Sequence, residues 1–198
     1  GQEIVSQLLG DDSFDSVSIF VRNDPNITHS KLKTYIIDFS KIKNYKDLIK
    51  GDVLFSCLGT TLRVAGSKDK QYLVDYTYQY EFAKIASDNG VSDYSLVSSI
   101  VANEKSPFFY PKIKGELEMA IKRFPFKTIQ IFQPPTLIRQ QELIRTGEKI
   151  GIKIFRWLNF FGLVKSQKPL PVNILAEFMI EQIKKKQKEK ITTFKSIN

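Results

Sequence analysis

Residues 94–118, YSLVSSIVANEKSPFFYPKIKGELE, carry the pattern that decides the fold and the side chains best suited to chemistry. The stretch opens with an apolar run that predicts a buried strand, and Ser98 and Ser99 stand where that strand ends. A loop follows, and Tyr110 then precedes Lys114 by four positions at the start of a helical apolar pattern. Side chains four residues apart lie on one helix face, so the sequence predicts that a phenol and an ammonium share that face.

The Tyr110 hydroxyl is therefore a candidate acid–base group. A nearby ammonium stabilises a phenolate and lowers a phenol pKa that is ordinarily near ~10, so the hydroxyl can exchange a proton near neutral pH. A serine at the neighbouring strand end, Ser99 or Ser98, can then donate a hydrogen bond to the same substrate oxygen.

Pro111 complicates this arrangement, because a proline pushes the residue before it toward extended geometry. If Tyr110 is the N-cap and Pro111 the first helical residue, the phenol stays within about one turn of Lys114. If the proline instead turns the ring away, the site is inert.

Three motifs carry a family resemblance: Cys-Leu-Gly-Thr-Thr at residues 57–61, Leu-Val-Ser-Ser-Ile at 96–100, and Tyr-x-x-x-Lys-Gly-Glu at 110–116. Together they resemble the atypical branch of the short-chain dehydrogenase/reductase superfamily that contains the Tat-interacting oxidoreductase, and the similarity continues weakly to about residue 183. The resemblance implies an α/β, doubly wound parallel-sheet Rossmann fold in three layers. It also implies a nicotinamide dinucleotide cofactor and a small-molecule carbonyl or alcohol substrate.

The resemblance further implies a role for each candidate residue. Tyr110 would be the acid or base, Lys114 would hold the nicotinamide ribose, and Ser99 or Ser98 would polarise the carbonyl oxygen. The expected cofactor-binding residues are Gly1, Arg22, Asp38, Leu58, Gly59, Thr60, Thr61, Lys114 and Pro134.

The start of the chain lacks one expected strand. Gly1 leads directly into an amphipathic helical pattern at residues 2–9. Dinucleotide-binding folds place a Gly-rich turn at this point, and its last glycine packs the helix against the preceding strand. We interpret Gly1 as that glycine and expect a first strand and a Gly-rich turn upstream in the natural protein.

The next strand pattern, at residues 17–21, predicts the preferred dinucleotide. Arg22 follows it at close to the ~20-residue offset at which such folds meet the adenosine ribose. An arginine there offers its planar fork to the extra phosphate of NADP, whereas Asp24 would instead accept the ribose hydroxyls of NAD. We therefore expect NADP(H), with NAD(H) as the alternative.

Other cofactor contacts are expected where later strands end. Asp38, late in a predicted strand at residues 35–39, resembles the residue that contacts the adenine amino group in this superfamily, although it also suits a turn. Gly59 has no Cβ where a cofactor backbone would pass closest, and Thr60 and Thr61 can hydrogen-bond to ribose or phosphate. The family usually has Arg-Pro-Gly after the strand at residues 128–132, and here only Pro134 matches.

Length and composition fit one domain, residues 1–183, whose substrate-side elements begin at residue 137. The chain has 198 residues and a formal net charge of +9. Six Lys and one Glu fall in residues 184–198, which predicts a solvated basic tail rather than a nucleic-acid-binding surface. The aromatic, basic residues 152–161 suit a lid over the substrate or a surface helix on a membrane or partner. We favour a third interpretation, a helix whose apolar face covers the sheet.

Several classes of site are disfavoured by residue counts. One cysteine excludes an internal disulfide, and a single histidine without a cysteine partner argues against zinc. No apolar run approaches the ~18 residues of a membrane span, and we expect a cytoplasmic protein. The alternative to an oxidoreductase is a dinucleotide-sensing module, read by a partner protein, in which the fold and cofactor site persist without turnover.

Overall fold

A computed structural model describes residues 1–138, 169–185 and 189–195 of the chain. The α-helices within these residues are α1 (Gln2–Leu9), α2 (Leu62–Ala65), α3 (Lys68–Tyr72), α4 (Tyr78–Asp88), α5 (Phe109–Ile121) and α6 (Val172–Lys184). The strands are β1 (Val17–Val21), β2 (Leu32–Ile36), β3 (Val53–Ser56), β4 (Asp93–Val97), β5 (Thr128–Phe132), β6 (Leu137–Ile138), β7 (Leu170–Pro171) and β8 (Ile191–Phe194). A 3₁₀ helix covers Phe39–Leu48, and a π-helical turn, Leu73–Thr77, joins α3 to α4.

All the strand pairs in the described part of the chain are parallel, as the alternation of strands and helices predicts. The strands β3, β4, β5 and β8 lie side by side in that order, and β1 pairs with β2 in a separate sheet. A short third pair joins β6 to β7. Parallel neighbours place their carboxyl ends at the same edge, so the loops after β3, β4 and β5 lie close together.

Successive strand residues face opposite helix layers. Leu96 of β4 and Ile131 of β5 pack in one hydrophobic cluster with α4 and α5. The next residues along, Val97 and Phe132, pack in a second cluster with α1 and α6. This alternation follows from the two-residue period of a strand, and it places the sheet between two layers of helices.

The segment around Asp38 differs from the predicted strand at residues 35–39. The strand β2 ends at Ile36, and Asp38 is the N-cap of the following 3₁₀ helix. Its Oδ1 atom accepts a hydrogen bond of 2.9 Å from the Ser40 backbone N–H. Side-chain capping stops the strand here, because it offers the backbone an alternative to ladder pairing.

The sequence predicts a solvated basic tail at residues 184–198, but part of this segment forms a strand. Residues Ile191–Phe194 form β8 against β5, and the Phe194 ring stacks on Phe132 with 4.7 Å between ring centroids. The lysine-rich flanks dominate the composition of this segment, whereas the short Ile-Thr-Thr-Phe run has the β-branched and aromatic character that favours a strand.

Two other expectations concern the rest of the chain. The aromatic residues 152–161, interpreted as a lid or a covering helix, lie outside the described residues. Among the helices that the structure does describe, none combines the length and apolar character needed to cross a membrane.

Candidate active site

The candidate catalytic side chains lie on β4, the loop after it, and α5. The helix begins at Phe109 with Phe108 as its N-cap, so Tyr110 is the second helical residue and not the N-cap. Pro111 fits at the third position because the first four N–H groups of a helix have no partner within it. Tyr110 is therefore helical and shares a helix face with Lys114, one turn further on.

The loop between β4 and α5 packs directly on that helix through Gly115. A Cβ atom built on Gly115 would come within 2.1 Å of the Glu104 backbone nitrogen and 2.4 Å of the Asn103 carbonyl carbon. The Asn103 N–H also donates a 2.9 Å hydrogen bond to the Pro111 carbonyl. The glycine therefore allows the loop that leads from Ser99 to Tyr110 to lie against the first turns of α5.

Lys114 forms a buried ion pair with Asp75 of the π-helical turn. The Nζ atom of Lys114 lies 3.1 Å from Asp75 Oδ1, and the two residues are only 4% and 1% exposed. A buried charge is tolerated only when it is paired and hydrogen-bonded, so this contact explains how the ammonium is held inside the protein. Asp75 is absent from the residues predicted from the sequence.

The other oxygen of Asp75 contacts the loop after β3. Asp75 Oδ2 accepts a hydrogen bond of 3.2 Å from the Thr60 backbone N–H, and Gln71 Nε2 donates one of 3.3 Å to the Thr60 carbonyl. A Cβ on Gly59 would lie 3.2 Å from Asp75 Oδ1, tighter than most such contacts. The missing Cβ at Gly59 therefore leaves room for the ion pair as well as for a ligand.

The two candidate serines differ in their surroundings. Ser98 is buried, and its hydroxyl donates a hydrogen bond to Glu118 Oε1. Gln133 Nε2 donates to both oxygens of the same carboxylate, at 2.9 and 3.0 Å. The Ser98 hydroxyl is thus already engaged within the protein, whereas Ser99 is half-buried. Gln133, which departs from the family pattern, thus belongs to a buried hydrogen-bond network.

A groove of about 660 Å³ extends from the loop after β3 to the end of β1. It brings together predicted cofactor residues with three further polar side chains. Its polar and glycine lining comprises Arg22, Asp38, Ser40, Gly59, Thr60, Lys70 and Tyr78. The apolar lining includes Leu58. The hydrogen bonds from the Ser40 side chain and backbone hold the pKa of Asp38 below its usual range. Asp38 therefore both caps the 3₁₀ helix and presents a carboxylate to the groove.

The remaining predicted cofactor residues, Gly1, Thr61, Lys114 and Pro134, lie outside the lining of this groove. Thr61 is the N-cap of α2, where its Oγ1 accepts a 3.3 Å hydrogen bond from the Val64 N–H. Gly1 is the N-cap of α1, and a Cβ on it would lie 3.9 Å from Cys57 Cβ. Pro134 is buried and its carbonyl accepts a 3.1 Å hydrogen bond from the Ile100 N–H.

The rival to Arg22, Asp24, is also absent from the groove lining. Its Oδ1 accepts a 2.8 Å hydrogen bond from the Asn26 N–H, in a turn where Asn26 has a φ of 53°. This turn chemistry accounts for Asp24 without a ligand.

One sequence signal could have revealed Asp75. Gln71, Asp75 and Gln79 recur at every fourth position of a helical stretch, and each is no more than 2% exposed. A polar side chain repeated at helical spacing on a buried face requires buried partners. The spacing indicates that such partners exist, but it does not identify them.

No protein-family model matches this chain. The rat protein HTATIP2 (Rattus norvegicus) is 31% identical over 159 residues, which cover 78% of this chain and 65% of the rat protein. The mitochondrial protein FMP52 of Candida albicans is 31% identical over 187 residues, which cover 91% of this chain and 82% of that protein.

Solved structures with low sequence identity have the same fold. MoeE5, in complex with UDP-glucuronic acid and NAD, matches with a TM-score of 0.71 and 14% identity over 98% of this chain and 72% of MoeE5. A dTDP-4-dehydrorhamnose reductase from Bacillus anthracis, in complex with NADP, matches with a TM-score of 0.57 and 12% identity over 92% of this chain and 67% of the reductase. The predicted Rossmann fold is confirmed.

The relatives correct one expectation and settle the family. The expected cytoplasmic location is wrong, because the FMP52 proteins of Candida albicans and other fungi are named mitochondrial. Composition had suggested the cytoplasm only through the lack of a membrane span, which does not distinguish one compartment from another. On the strength of the match to FMP52, the chain belongs to the family of FMP52 and HTATIP2.

Proposed function

We propose that this protein is an NADP(H)-dependent oxidoreductase that acts on a carbonyl/alcohol pair through Ser99, Tyr110 and Lys114. The observation that carries the proposal is the position of Lys114, buried on the same face of α5 as Tyr110, beside the loop that lines the Arg22 groove. An enzyme of this class needs a proton donor, a nearby cation and a dinucleotide groove within reach of one another.

Each side chain has a distinct task in reduction. The Tyr110 hydroxyl gives its proton to the carbonyl oxygen, and the positive charge of Lys114 stabilises the phenolate that remains. Ser99 donates a hydrogen bond to the same oxygen and orients the carbonyl. The bound nicotinamide would supply the hydride, and oxidation of the alcohol reverses each proton movement.

The groove residues fit a dinucleotide. Gly59 has no side chain to block a close approach, Thr60 and Asp38 present polar atoms, and Arg22 provides a cation at the end of β1. An arginine fork favours the additional phosphate of NADP, which supports NADP(H) over NAD(H).

Arg22→Ala tests the cofactor preference. NADPH binding should weaken by about 1.5–3 kcal/mol, the loss expected for a hydrogen bond to a charged group, while NADH binding stays nearly unchanged. Isothermal titration of the full-length protein measures both, with Asp24→Ala as the matched control from the same loop. Equal losses for the two cofactors with Arg22→Ala, or a selective loss of NADH binding with Asp24→Ala, would reject the assignment.

Tyr110→Phe tests the reaction itself. In a screen of aldehydes and ketones, the variant should lose nearly all turnover while its NADPH affinity stays within a few-fold of wild type, because the hydroxyl matters chiefly when the proton moves. If wild type and variant bind NADPH but are equally inert with every carbonyl, the oxidoreductase proposal fails and the dinucleotide-sensing alternative replaces it.

The names of the fungal relatives also support a mitochondrial location for this protein. Fractionation of cells that express the full-length protein tests this location. Recovery of the protein outside the mitochondrial fraction would contradict it.

A further inference from the structure

We propose that Asp75 is a positioning residue that clamps the Lys114 ammonium to the backbone of the cofactor loop at Thr60. This inference rests on the proposed function, because it assigns to Asp75 the task of fixing the position of the Lys114 ammonium relative to the groove. We call the contacts of the Asp75 carboxylate with Lys114 and with Thr60 the Asp75 clamp.

The two carboxylate oxygens are divided between two elements. Oδ1 lies 3.1 Å from the Lys114 Nζ atom on α5, and Oδ2 accepts the 3.2 Å hydrogen bond from the Thr60 N–H. Gly59 passes next to the pair, since a Cβ there would lie 3.2 Å from Oδ1 and 3.9 Å from the ammonium. One buried carboxylate therefore joins the helix that carries the acid–base residues to the loop that lines the groove.

The π-helical turn fixes where Asp75 points. The Tyr78 N–H donates to the Leu73 carbonyl, five residues back, which is the π pattern. The Asp75 carbonyl accepts a 2.9 Å hydrogen bond from Gln79 Nε2, and Gln79 Oε1 in turn accepts one of 2.9 Å from Ser56 Oγ on β3. The acid is thus anchored to the strand that leads into the cofactor loop.

Loss of the Asp75 carboxylate is expected to affect both turnover and dinucleotide binding. Without the carboxylate, the buried ammonium has no charge partner among the described contacts and must shift, and the Thr60 N–H loses its acceptor. A displacement of the lysine by about 1 Å is enough to lower turnover by as much as ~10²-fold. A displacement of the loop changes the shape of the groove and weakens dinucleotide binding.

Asp75→Asn is a selective test, because it removes the negative charge of the side chain but keeps its shape. An amide has one acceptor oxygen, so it can serve only one of the two donors and presents its own N–H groups to the other. In the full-length protein we expect the Kd for NADPH to rise about tenfold and kcat to fall at least tenfold, with the KM for the carbonyl within about threefold. Titration calorimetry and steady-state kinetics measure these quantities.

Gln130→Leu is the matched control for general destabilisation. Gln130 is fully buried on β5, and its Nε2 donates a 2.9 Å hydrogen bond to the Gln182 carbonyl, away from the clamp. The substitution should lower the Tm but leave Kd and kcat of the folded protein within about twofold of wild type. If Asp75→Asn behaves in the same way, with only its Tm lowered, the positioning role is refuted.

A second comparison covers the case in which Asp75→Asn folds poorly. The double variant Lys114→Met/Asp75→Asn contains neither buried charge and should fold, whereas Lys114→Met alone leaves the Asp75 carboxylate without its charge partner, so its Tm is measured first. If Asp75 affects kcat through Lys114, the second substitution should change kcat less than about twofold in the Lys114→Met background. A tenfold additional loss would overturn the inference, whereas a wild type that binds neither NADPH nor NADH would overturn the proposed function first.

Discussion

We expect Gly115→Ala to destabilise this protein, although replacing glycine by alanine inside a helix is usually stabilising. Gly115 lies inside α5, where alanine is normally favoured over glycine by ~1 kcal/mol. The new Cβ atom would stand 2.1 Å from the Glu104 nitrogen, 2.4 Å from the Asn103 carbonyl carbon and 2.8 Å from the Asn103 nitrogen. All three are backbone atoms, so no side chain can rotate out of the way. The loop or the helix must move by about 1.3 Å to bring the 2.1 Å distance to an ordinary contact of 3.4 Å.

The expected loss in the free energy of unfolding follows from the cost of overpacking. Inserting a methyl group into a packed interior typically costs about 1–3 kcal/mol. A clash with three backbone atoms lies at the upper end, about 2–3 kcal/mol, which exceeds the gain of ~1 kcal/mol in helix propensity. We therefore expect the variant to be less stable than wild type by about 1–2 kcal/mol, and its Tm to fall by roughly 2–8 °C for a domain of this size. Urea denaturation and a thermal scan of the full-length protein measure the two quantities. Turnover should fall as well, because the displaced loop connects Ser99 to Tyr110.

Gly10→Ala provides the control. Gly10 follows α1 with a right-handed φ of −85°, and the nearest atom to an added Cβ is the Gln7 carbonyl oxygen at 3.8 Å. Alanine at that position should leave stability unchanged or raise it slightly. A Gly115→Ala variant that is as stable as wild type, or more stable, would refute the close packing of the loop on α5.

Two further predictions concern the C-terminal elements. Phe194→Ala should reduce the free energy of unfolding by about 2 kcal/mol, because the half-buried ring stacks on Phe132, whereas the exposed Thr193→Ala control should cost less than about 0.5 kcal/mol. Equal urea midpoints for the two variants would contradict the assignment of β8. The hydrogen bond from Lys184 lowers the pKa of Asp11 from 3.8 to about 2, so this contact stabilises the fold above pH 4 and is lost as the pH falls toward 2. Asp11→Asn should therefore be less stable than wild type at pH 6, and the difference in urea midpoint should shrink between pH 4 and 2. A difference that does not depend on pH would rule out this linkage.

Most of the helices and strands could be located from the sequence alone. The strand at residues 128–132 and the helix around Lys114 agree with the periodicity of apolar residues, because such patterns report on neighbours within a few positions. The Tyr110–Lys114 spacing likewise placed both residues on one helix face. The N-cap was harder to place, since Pro111 is compatible with any of the first helical positions.

The sequence by itself thus determined the fold class and the alternating order of strands and helices, and it named Ser99, Tyr110 and Lys114 as candidate site residues. Only the tertiary structure decided which buried polar groups meet: Asp75 with Lys114 and Thr60, and Ser98 with Glu118 and Gln133. These partners lie far apart along the chain or on different elements, and no local propensity encodes them. Their pairing follows from the close approach of parallel strand ends and two helices, where a buried charge or amide must find its partner within the protein.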